Sequence, residues 1–137
     1  MRIVLINPIT RRTEGYHTIG SRIPQLGLQV LAELTPPGHH VEIIDEIFGN
    51  ESTEARIEAG HYDLVGLTGY TSGATRSYEI ADCCRRMKIP VVMGGPHASA
   101  MPDEAAEYCD TVAVGECDEI WPQIGRASCR ERVFRTV

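Results

Sequence analysis

The chain has 137 residues, of which 42% are hydrophobic and 23% charged, and it carries a net charge of −6 at neutral pH. This composition is typical of one globular domain, and no apolar run approaches the roughly 20 residues that a membrane span needs. Residues 125–137 hold four arginines and one glutamate, which leaves −9 on the first 124 residues, and such acidity disfavours nucleic acid as a partner. We expect a cytoplasmic protein without nucleic-acid or membrane partners, because the N-terminus turns polar too early for a signal peptide.

Short apolar runs alternate along the chain with segments of helical periodicity. The predicted strands are Arg2–Asn7, His40–Asp45, Leu64–Thr68, Pro90–Met93 and Thr111–Val114. The predicted helices are Pro24–Leu34, Ser52–Ala59, Gly73–Lys88, Pro102–Tyr108 and Cys117–Ile124. Strands that alternate with helices form right-handed crossovers. The sequence therefore predicts an α/β three-layer sandwich, Rossmann-like or flavodoxin-like, with a five-stranded parallel sheet.

Residues 125–137 depart from this alternation. They are rich in arginine, and the run Gly-Arg-Ala-Ser-Cys-Arg-Glu-Arg-Val resembles translated adapter or vector sequence. We therefore expect residues 1–124 to form one domain, residues 125–137 to be a non-native or disordered tail, and the chain to be a truncated piece of a longer protein. A genuine basic tail is the alternative.

The carboxyl ends of parallel strands share one edge of the sheet, which is where open α/β sheets bind ligands. The residues predicted as a binding site at this edge are Asn7, Pro8, Thr68, Gly69, Tyr70, Thr71, Ser72, Gly94, Gly95, Pro96, His97, Gly115 and Glu116. Glycines let a ligand approach bare backbone, and the hydroxyls can donate and accept hydrogen bonds. For Ser72 the alternative is a structural role alone, as the N-cap of the third helix.

Two further features bear on this edge. Residues 8–23 join the first strand to the first helix through 16 residues, where about 2–6 are usual, and long loops at a sheet edge are commonly functional. The acidic residues Glu42, Asp45, Glu46 and Glu51 are expected to form a solvated face rather than a cation site.

The five cysteines form no Cys-x-x-Cys pair, so we expect no protein metal centre.

Several segments together carry a resemblance that no one of them would carry alone. They are Val4–Pro8, Pro24–Ala32, Gly38–Asp45, Asp63–Thr68, Val92–Ala98, Pro102–Glu104 and Val114–Glu119. In this order and spacing, residues 1–124 resemble the N-terminal cobalamin-binding domain of cobalamin-dependent radical S-adenosylmethionine proteins.

The resemblance implies a corrinoid that lies across the carboxyl edge of the sheet, with its nucleotide tail in a groove beside the third and fourth strands. It implies cofactor contacts from residues 68–72, Gly94, Gly95 and His97, with Glu116 as a further candidate. It also implies a downstream barrel domain, absent from this chain, that holds S-adenosylmethionine and a 4Fe–4S cluster. The parent protein would be a radical S-adenosylmethionine methyltransferase or a related enzyme, and this chain alone would bind cobalamin without catalysis.

Ligation of cobalt by a histidine is a separate question. Cobalamin domains like that of methionine synthase carry an Asp-x-His-x-x-Gly motif after the first strand. Here the loop has His17 and Gly20, but Gly15 replaces the aspartate that would orient the imidazole. We therefore expect no histidine ligand, with His17 as the alternative ligand and His97 as a turn or cofactor-edge residue.

Two other functions stay open at this point. A flavodoxin-like flavin or nucleotide binder is suggested by the hydroxyl-rich loop Tyr70–Thr75, although that loop follows the third strand and not the first. A receiver-like domain with Asp45 as acceptor would need paired acidic residues after the first strand, where this chain has Asn7 and Pro8.

Overall fold

The structure is a computed structural model that describes residues 1–9, 24–48 and 51–123, and the backbone of 133–135. The strands are β1 (Arg2–Asn7), β2 (His40–Asp45), β3 (Leu64–Thr68), β4 (Val91–Gly94), β5 (Thr111–Val114) and β6 (Val133–Arg135). The α-helices are α1 (Leu26–Leu34), α2 (Thr53–Gly60), α3 (Ala74–Arg86), α4 (Pro96–Ala100) and α5 (Pro102–Tyr108). Two 3₁₀ turns, Thr71–Gly73 and Trp121–Gln123, complete the described elements.

All strands pair in parallel, in the order β2-β1-β3-β4-β5-β6. The chain therefore reverses its direction of travel across the sheet between β1 and β3, and ligands of open α/β sheets bind at such a switch point. The fold class predicted from the sequence is confirmed, including the five predicted strands.

The sheet has a helical layer on each face. Helix α1 covers one face together with Trp121, over a core that contains Ile3, Leu5, Leu28, Leu64 and Val92. Helices α2 to α5 cover the other face, over a larger core that includes Val4, Ile6, Ile57, Ile80, Met93, Ala98 and Ala105. Successive side chains of a strand point to opposite faces, and both faces of this sheet are covered. The strands β1, β3 and β4 are therefore apolar along nearly their whole length.

Two local predictions are corrected. The last helix predicted over Cys117–Ile124 is wrong within the described residues, which form a turn at 118–120 and the short 3₁₀ turn Trp121–Gln123. Pro122 accounts for this, because a proline inside an α-helix lacks the N–H donor and clashes with the carbonyl one turn earlier. Conversely, the expected turn after β4 is the start of α4, with Pro96 at its first helical position.

Strand β6 goes beyond the five strands predicted. Its backbone, residues 133–135, pairs in parallel with β5 and so covers what would otherwise be an open edge strand. The other residues of the predicted tail lie outside the described residues, as does His17. The domain boundary at residue 124 therefore stays a prediction.

The acidic group after β2 is not wholly the solvated face that was expected, because the Glu46 side chain is only 10% exposed and lies in a polar network. Its carboxylate accepts hydrogen bonds from Arg76 at 2.6 Å, from the Thr53 hydroxyl at 2.5 Å and from the backbone N–H of Ile9 at 2.9 Å. Burial raises the pKa of Glu46, but these hydrogen bonds outweigh it and leave the pKa lowered. Arg76 also binds Glu54 at 2.6 Å, so the network joins the end of β1 to α2 and α3.

The unfolding free energy is expected to fall as the pH drops from 4.5 towards 2. The hydrogen bond from Arg76 lowers the pKa of Glu54 from 4.5 to about 2 in the folded state. The ionised carboxylate therefore stabilises the fold above pH 4.5, and this contribution is lost as the pH falls through the folded-state pKa. Urea denaturation at pH 7 and pH 3 measures the effect, which Glu54→Gln should reduce. The matched control is Glu58→Gln, at an exposed position of the same helix, and equal changes in both variants would contradict the assignment.

Candidate functional site

A groove of about 530 Å³ opens on the α1 face of the sheet, towards the carboxyl ends of β3, β4 and β5. We call it the edge groove. Its floor is formed by the sheet, one wall by α1, and the other wall by the segment that follows β5. The lining is mostly apolar or small, so the groove suits a ligand that presents a flat or apolar body to the sheet.

The floor consists of two rows of residues in register. The inner row is Leu5, Gly66, Val92 and Thr111, on β1, β3, β4 and β5. The outer row, nearer the carboxyl edge, is Thr68, Gly94 and Ala113. Each row has one glycine, and the groove lies over these two positions.

The two glycines in the floor differ in what lies above them. A Cβ built on Gly94 would stand 3.4 Å from Cys117 Sγ and 3.7 Å from Ala113 Cβ, on the groove side of β4. A Cβ built on Gly66 would meet the Leu5 side chain at 2.7 Å. Backbone without a side chain thus faces the groove at Gly94, whereas Leu5 and Trp121 already pack over Gly66.

Trp121 closes the inner part of the groove. The side chain is buried, and its Nε1–H donates a hydrogen bond of 2.8 Å to the Thr35 hydroxyl at the end of α1. Its Cη2 atom lies 3.7 Å from the position of a Cβ on Gly66. The polar end of the indole is thus satisfied by Thr35, while its hydrocarbon edge lies over the floor of the groove.

The segment after β5 places two carboxylates at the outer part of the groove. Glu116 and Asp118 are exposed on either side of Cys117. Burial raises the pKa of the Cys117 thiol, and the two carboxylates raise it further. The thiol therefore stays protonated at neutral pH, and a protonated thiol is a poor metal ligand.

Five of the thirteen predicted binding residues line the edge groove: Thr68, Gly94, Gly95, Gly115 and Glu116. The other eight do not line it: Asn7, Pro8, Gly69, Tyr70, Thr71, Ser72, Pro96 and His97. Asn7 is buried and donates to Asp45 at 3.0 Å, and Pro8 is buried as well. Tyr70, Thr71, Ser72 and Pro96 are exposed in the segments that follow β3 and β4.

Ser72 does not have the capping role that was weighed for it. It lies inside the 3₁₀ turn Thr71–Gly73, and Gly73 occupies the N-cap position of α3. Gly69 is buried below this turn, and its carbonyl accepts a hydrogen bond of 3.1 Å from the backbone N–H of His97. Contact between a cofactor and these loop residues stays a prediction.

His97 is neither a turn residue nor exposed at the edge, because it lies in α4 and is only 2% exposed. Its Nε2 is 2.7 Å from the Tyr78 hydroxyl, which donates to Glu104 at 2.9 Å. Since that hydroxyl has one proton, His97 Nε2–H donates to it, and Nδ1 lies 3.3 Å from the Thr71 hydroxyl. The side chain joins the loops after β3 and β4 within the opposite helical layer.

Sequence reasoning missed the wall formed by α1, Trp121, and most of the floor. Gly66, Val92 and Ala113 were read as strand interior, and Trp121 as part of a helix. The period-2 alternation of β3 and β4 could have placed Gly66 on the same face as Thr68. The contribution of α1 had no comparable signal in the sequence.

Within the described ranges, no group of three or more His, Cys, Asp or Glu side chains is arranged to hold a metal ion. The same part of the chain has no helix with the length and apolar character of a membrane span.

A parallel sheet with a largely apolar groove at the carboxyl ends of its strands is the arrangement of an α/β ligand-binding domain. Comparison with known families identifies which one. The family model described as the B12 binding domain matches residues 15–124, and the chain belongs to this family.

The relatives found by sequence comparison are methyltransferases by name. The bacteriochlorophyllide d C-8(2)-methyltransferase of Chlorobaculum tepidum is 47% identical over 96 residues, which cover 70% of this chain and 20% of that protein. The C-12(1)-methyltransferase of the same organism is 29% identical over 99 residues, with coverages of 72% and 21%. An uncharacterized methyltransferase of Pyrococcus horikoshii is 28% identical over 145 residues, with coverages of 100% and 31%. The chain thus spans about a fifth of the two Chlorobaculum proteins and under a third of the Pyrococcus one.

Among solved structures, the N-terminal domain of a hypothetical protein of Thermotoga maritima matches with a TM-score of 0.55 and 16% identity. The match covers 64% of this chain and 75% of that chain. At this identity the likeness shows the fold alone.

Gly95→Ala is expected to lower the unfolding free energy by about 1–3 kcal/mol, because Gly95 has φ 94° and ψ −175°, a region that only glycine adopts readily. A Cβ there would also stand 2.7 Å from Thr68 Oγ1 and 3.2 Å from the Gly69 nitrogen. Urea denaturation measures the change. Gly94→Ala is the matched control, since its Cβ meets only ordinary contacts, and a loss as large as that of Gly95→Ala would refute the backbone argument.

Proposed function

We propose that this chain is the corrinoid-binding module of a radical S-adenosylmethionine enzyme and that it holds cobalamin at the carboxyl edge of its sheet. The observation that carries the proposal is the edge groove, with Gly66 and Gly94 in its floor. Membership of the B12-binding family supports the same ligand. In this proposal the nucleotide arm of the corrinoid enters the groove, and the corrin ring lies over the loops after β3 and β4.

The residues present fit such a ligand. The mostly apolar lining excludes water from an aromatic base, and the bare backbone at Gly94 leaves room for the arm beside Cys117. The Thr68 hydroxyl is placed in the outer row, where it can donate a hydrogen bond to a polar group of the arm or accept one from it. The exposed ring of Tyr70 offers an apolar surface to a macrocycle above the sheet. When bound, cobalamin would supply a cobalt centre able to carry a methyl group.

The activity of the longer protein is part of the proposal. The three relatives are methyltransferases by name, so we propose methyl transfer for the parent of this chain. S-adenosylmethionine and a 4Fe–4S cluster would be bound by a further domain of that parent. The present chain would bind the corrinoid without turnover.

A flavin or nucleotide binder is the competing function, because the strand order 2-1-3-4-5 is also that of flavodoxin. The edge groove favours the corrinoid, since it opens beside β3, β4 and β5. Flavodoxin binds its cofactor at the switch point between β1 and β3. The absorption spectrum of the loaded protein separates the two, since a corrinoid is red and a flavin yellow.

Hydroxocobalamin is expected to bind the 137-residue chain and to quench the fluorescence of Trp121, the single tryptophan, which lines the edge groove. Gly94→Val should weaken binding roughly tenfold, because overfilling a close-packed site costs about 1–3 kcal/mol. An equilibrium titration followed by fluorescence measures both affinities.

The matched control for this titration is Ala59→Val, at an exposed position of α2 in the opposite layer. It adds bulk away from the groove and should bind as the wild type does. Absence of affinity for any corrinoid in a folded wild-type chain would refute the proposal.

The bound cobalt is expected to have no histidine nitrogen as a ligand. No histidine lies among the described residues that line the groove, and His97 is buried in the opposite layer. Electron paramagnetic resonance of the cobalt(II) form tests this on protein labelled with ¹⁵N-histidine, whose spectrum should match that of unlabelled protein. A changed nitrogen splitting would contradict the expectation, and His17→Ala would then show whether the ligand is His17.

A further inference from the structure

The charged side chains of the edge groove lie in its outer part, and the inner part is largely apolar. In the inner row of the floor, Leu5 and Val92 are buried hydrocarbon and Gly66 has no side chain. The charged residues of the lining, Glu116 and Asp118, are exposed and belong to the segment after β5. Among the side chains that the structure describes, a group placed deep in the groove therefore meets almost no hydrogen-bond donor or acceptor.

The walls of the inner part have the same character. Leu28 and Leu31 of α1 line it from one side, and both pack on the apolar core of this face. Trp121 lines it from the other side, and its only N–H is already donated to Thr35. The indole therefore offers a ring surface but no hydrogen bond to a ligand.

The exception in the inner row is Thr111, which pairs in register with Val92. Its side chain is the one hydroxyl of that row among the described residues. Threonine and valine side chains have nearly the same shape. Exchanging one for the other at Thr111 or Val92 therefore changes the polarity of the inner floor and leaves its volume nearly unchanged. The two positions are suited to isosteric exchange.

We infer that the edge groove selects corrinoids by the base at the end of their nucleotide arm and favours a benzimidazole base over adenine. The inference rests on the proposed corrinoid function. An alkylated benzimidazole buries hydrocarbon and an aromatic ring, which the inner groove can accept without loss. Adenine would bring an amino group and additional ring nitrogens, which would be left without partners when they lose their hydration. Leu5, Val92, Thr111 and Trp121 are the specificity-determining residues.

The test compares three ligands on the 137-residue chain: a dimethylbenzimidazolyl cobamide, an adeninyl cobamide, and cobinamide, which lacks the nucleotide arm. Affinities are measured by quenching of Trp121 fluorescence and checked by absorption. The benzimidazolyl cobamide should bind at least about tenfold more tightly than the adeninyl one, since a mismatch in an apolar pocket is worth roughly 10–200-fold. It should also bind more tightly than cobinamide.

Two isosteric variants examine the mechanism. Thr111→Val removes the hydroxyl of the inner row and should increase the ratio of the two cobamide affinities. Val92→Thr adds a hydroxyl to the same row and should decrease it. Val41→Thr is the matched control, because Val41 packs on the same face of the sheet without lining the groove, and it should leave the ratio unchanged. If Val92→Thr fails to fold, the effect of Thr111→Val on the ratio of the two affinities still tests the inference.

The outcomes separate the inference from the function on which it rests. Equal affinities for the two cobamides, or a ratio that Thr111→Val leaves unchanged, would overturn the inference while corrinoid binding stands. Failure of all three ligands to bind the folded chain would overturn both.

Discussion

In the middle of the sheet, β3 and β4 present bare backbone to the α1 face at Gly66 and Gly94. Central parallel strands are normally covered on both faces by branched side chains; at Gly94 the floor of the groove has no side chain, and at Gly66 the Leu5 and Trp121 side chains pack over the backbone instead. Gly66 lets Leu5 and Trp121 pack close to the sheet, since a Cβ there would stand 2.7 Å from the Leu5 side chain. The wall formed by α1 and the side chain of Trp121 enclose this part of the floor. A groove at this place agrees with the membership of the B12-binding family.

The opposite helical layer has a different role. There the polar side chains pair with one another: Glu46 binds Arg76, and His97 binds Tyr78 and Thr71. These contacts join loops at the carboxyl edge to α3 and α4 and leave their polar atoms satisfied. The groove on the α1 face, in contrast, has a largely apolar interior and exposed carboxylates at its margin. One layer thus stabilises the edge, while the other layer has the space and the chemistry for a ligand.

The strands were predictable because each is a short apolar run bounded by turn residues, and β1, β2, β3 and β5 have the predicted bounds. The prediction of a helix after β5 was wrong because it relied on apolar periodicity and gave too little weight to Pro122, which interrupts an α-helix. His97 was misplaced for a different reason. In the sequence it follows two glycines and a proline, a pattern typical of an exposed turn, whereas Pro96 starts a helix that turns the imidazole into the core.

By itself the sequence determined the parallel α/β sheet, its edge, and the two small residues Gly94 and Gly95 that line the groove there, because periodicity and side-chain size are local properties. Only the tertiary structure decided which face carries the groove, that Gly66 and Trp121 belong to it, and that His97 does not. These facts depend on the register between strands and on which helix packs against which face. Such long-range pairings bring together residues far apart in the chain, and no local pattern records them.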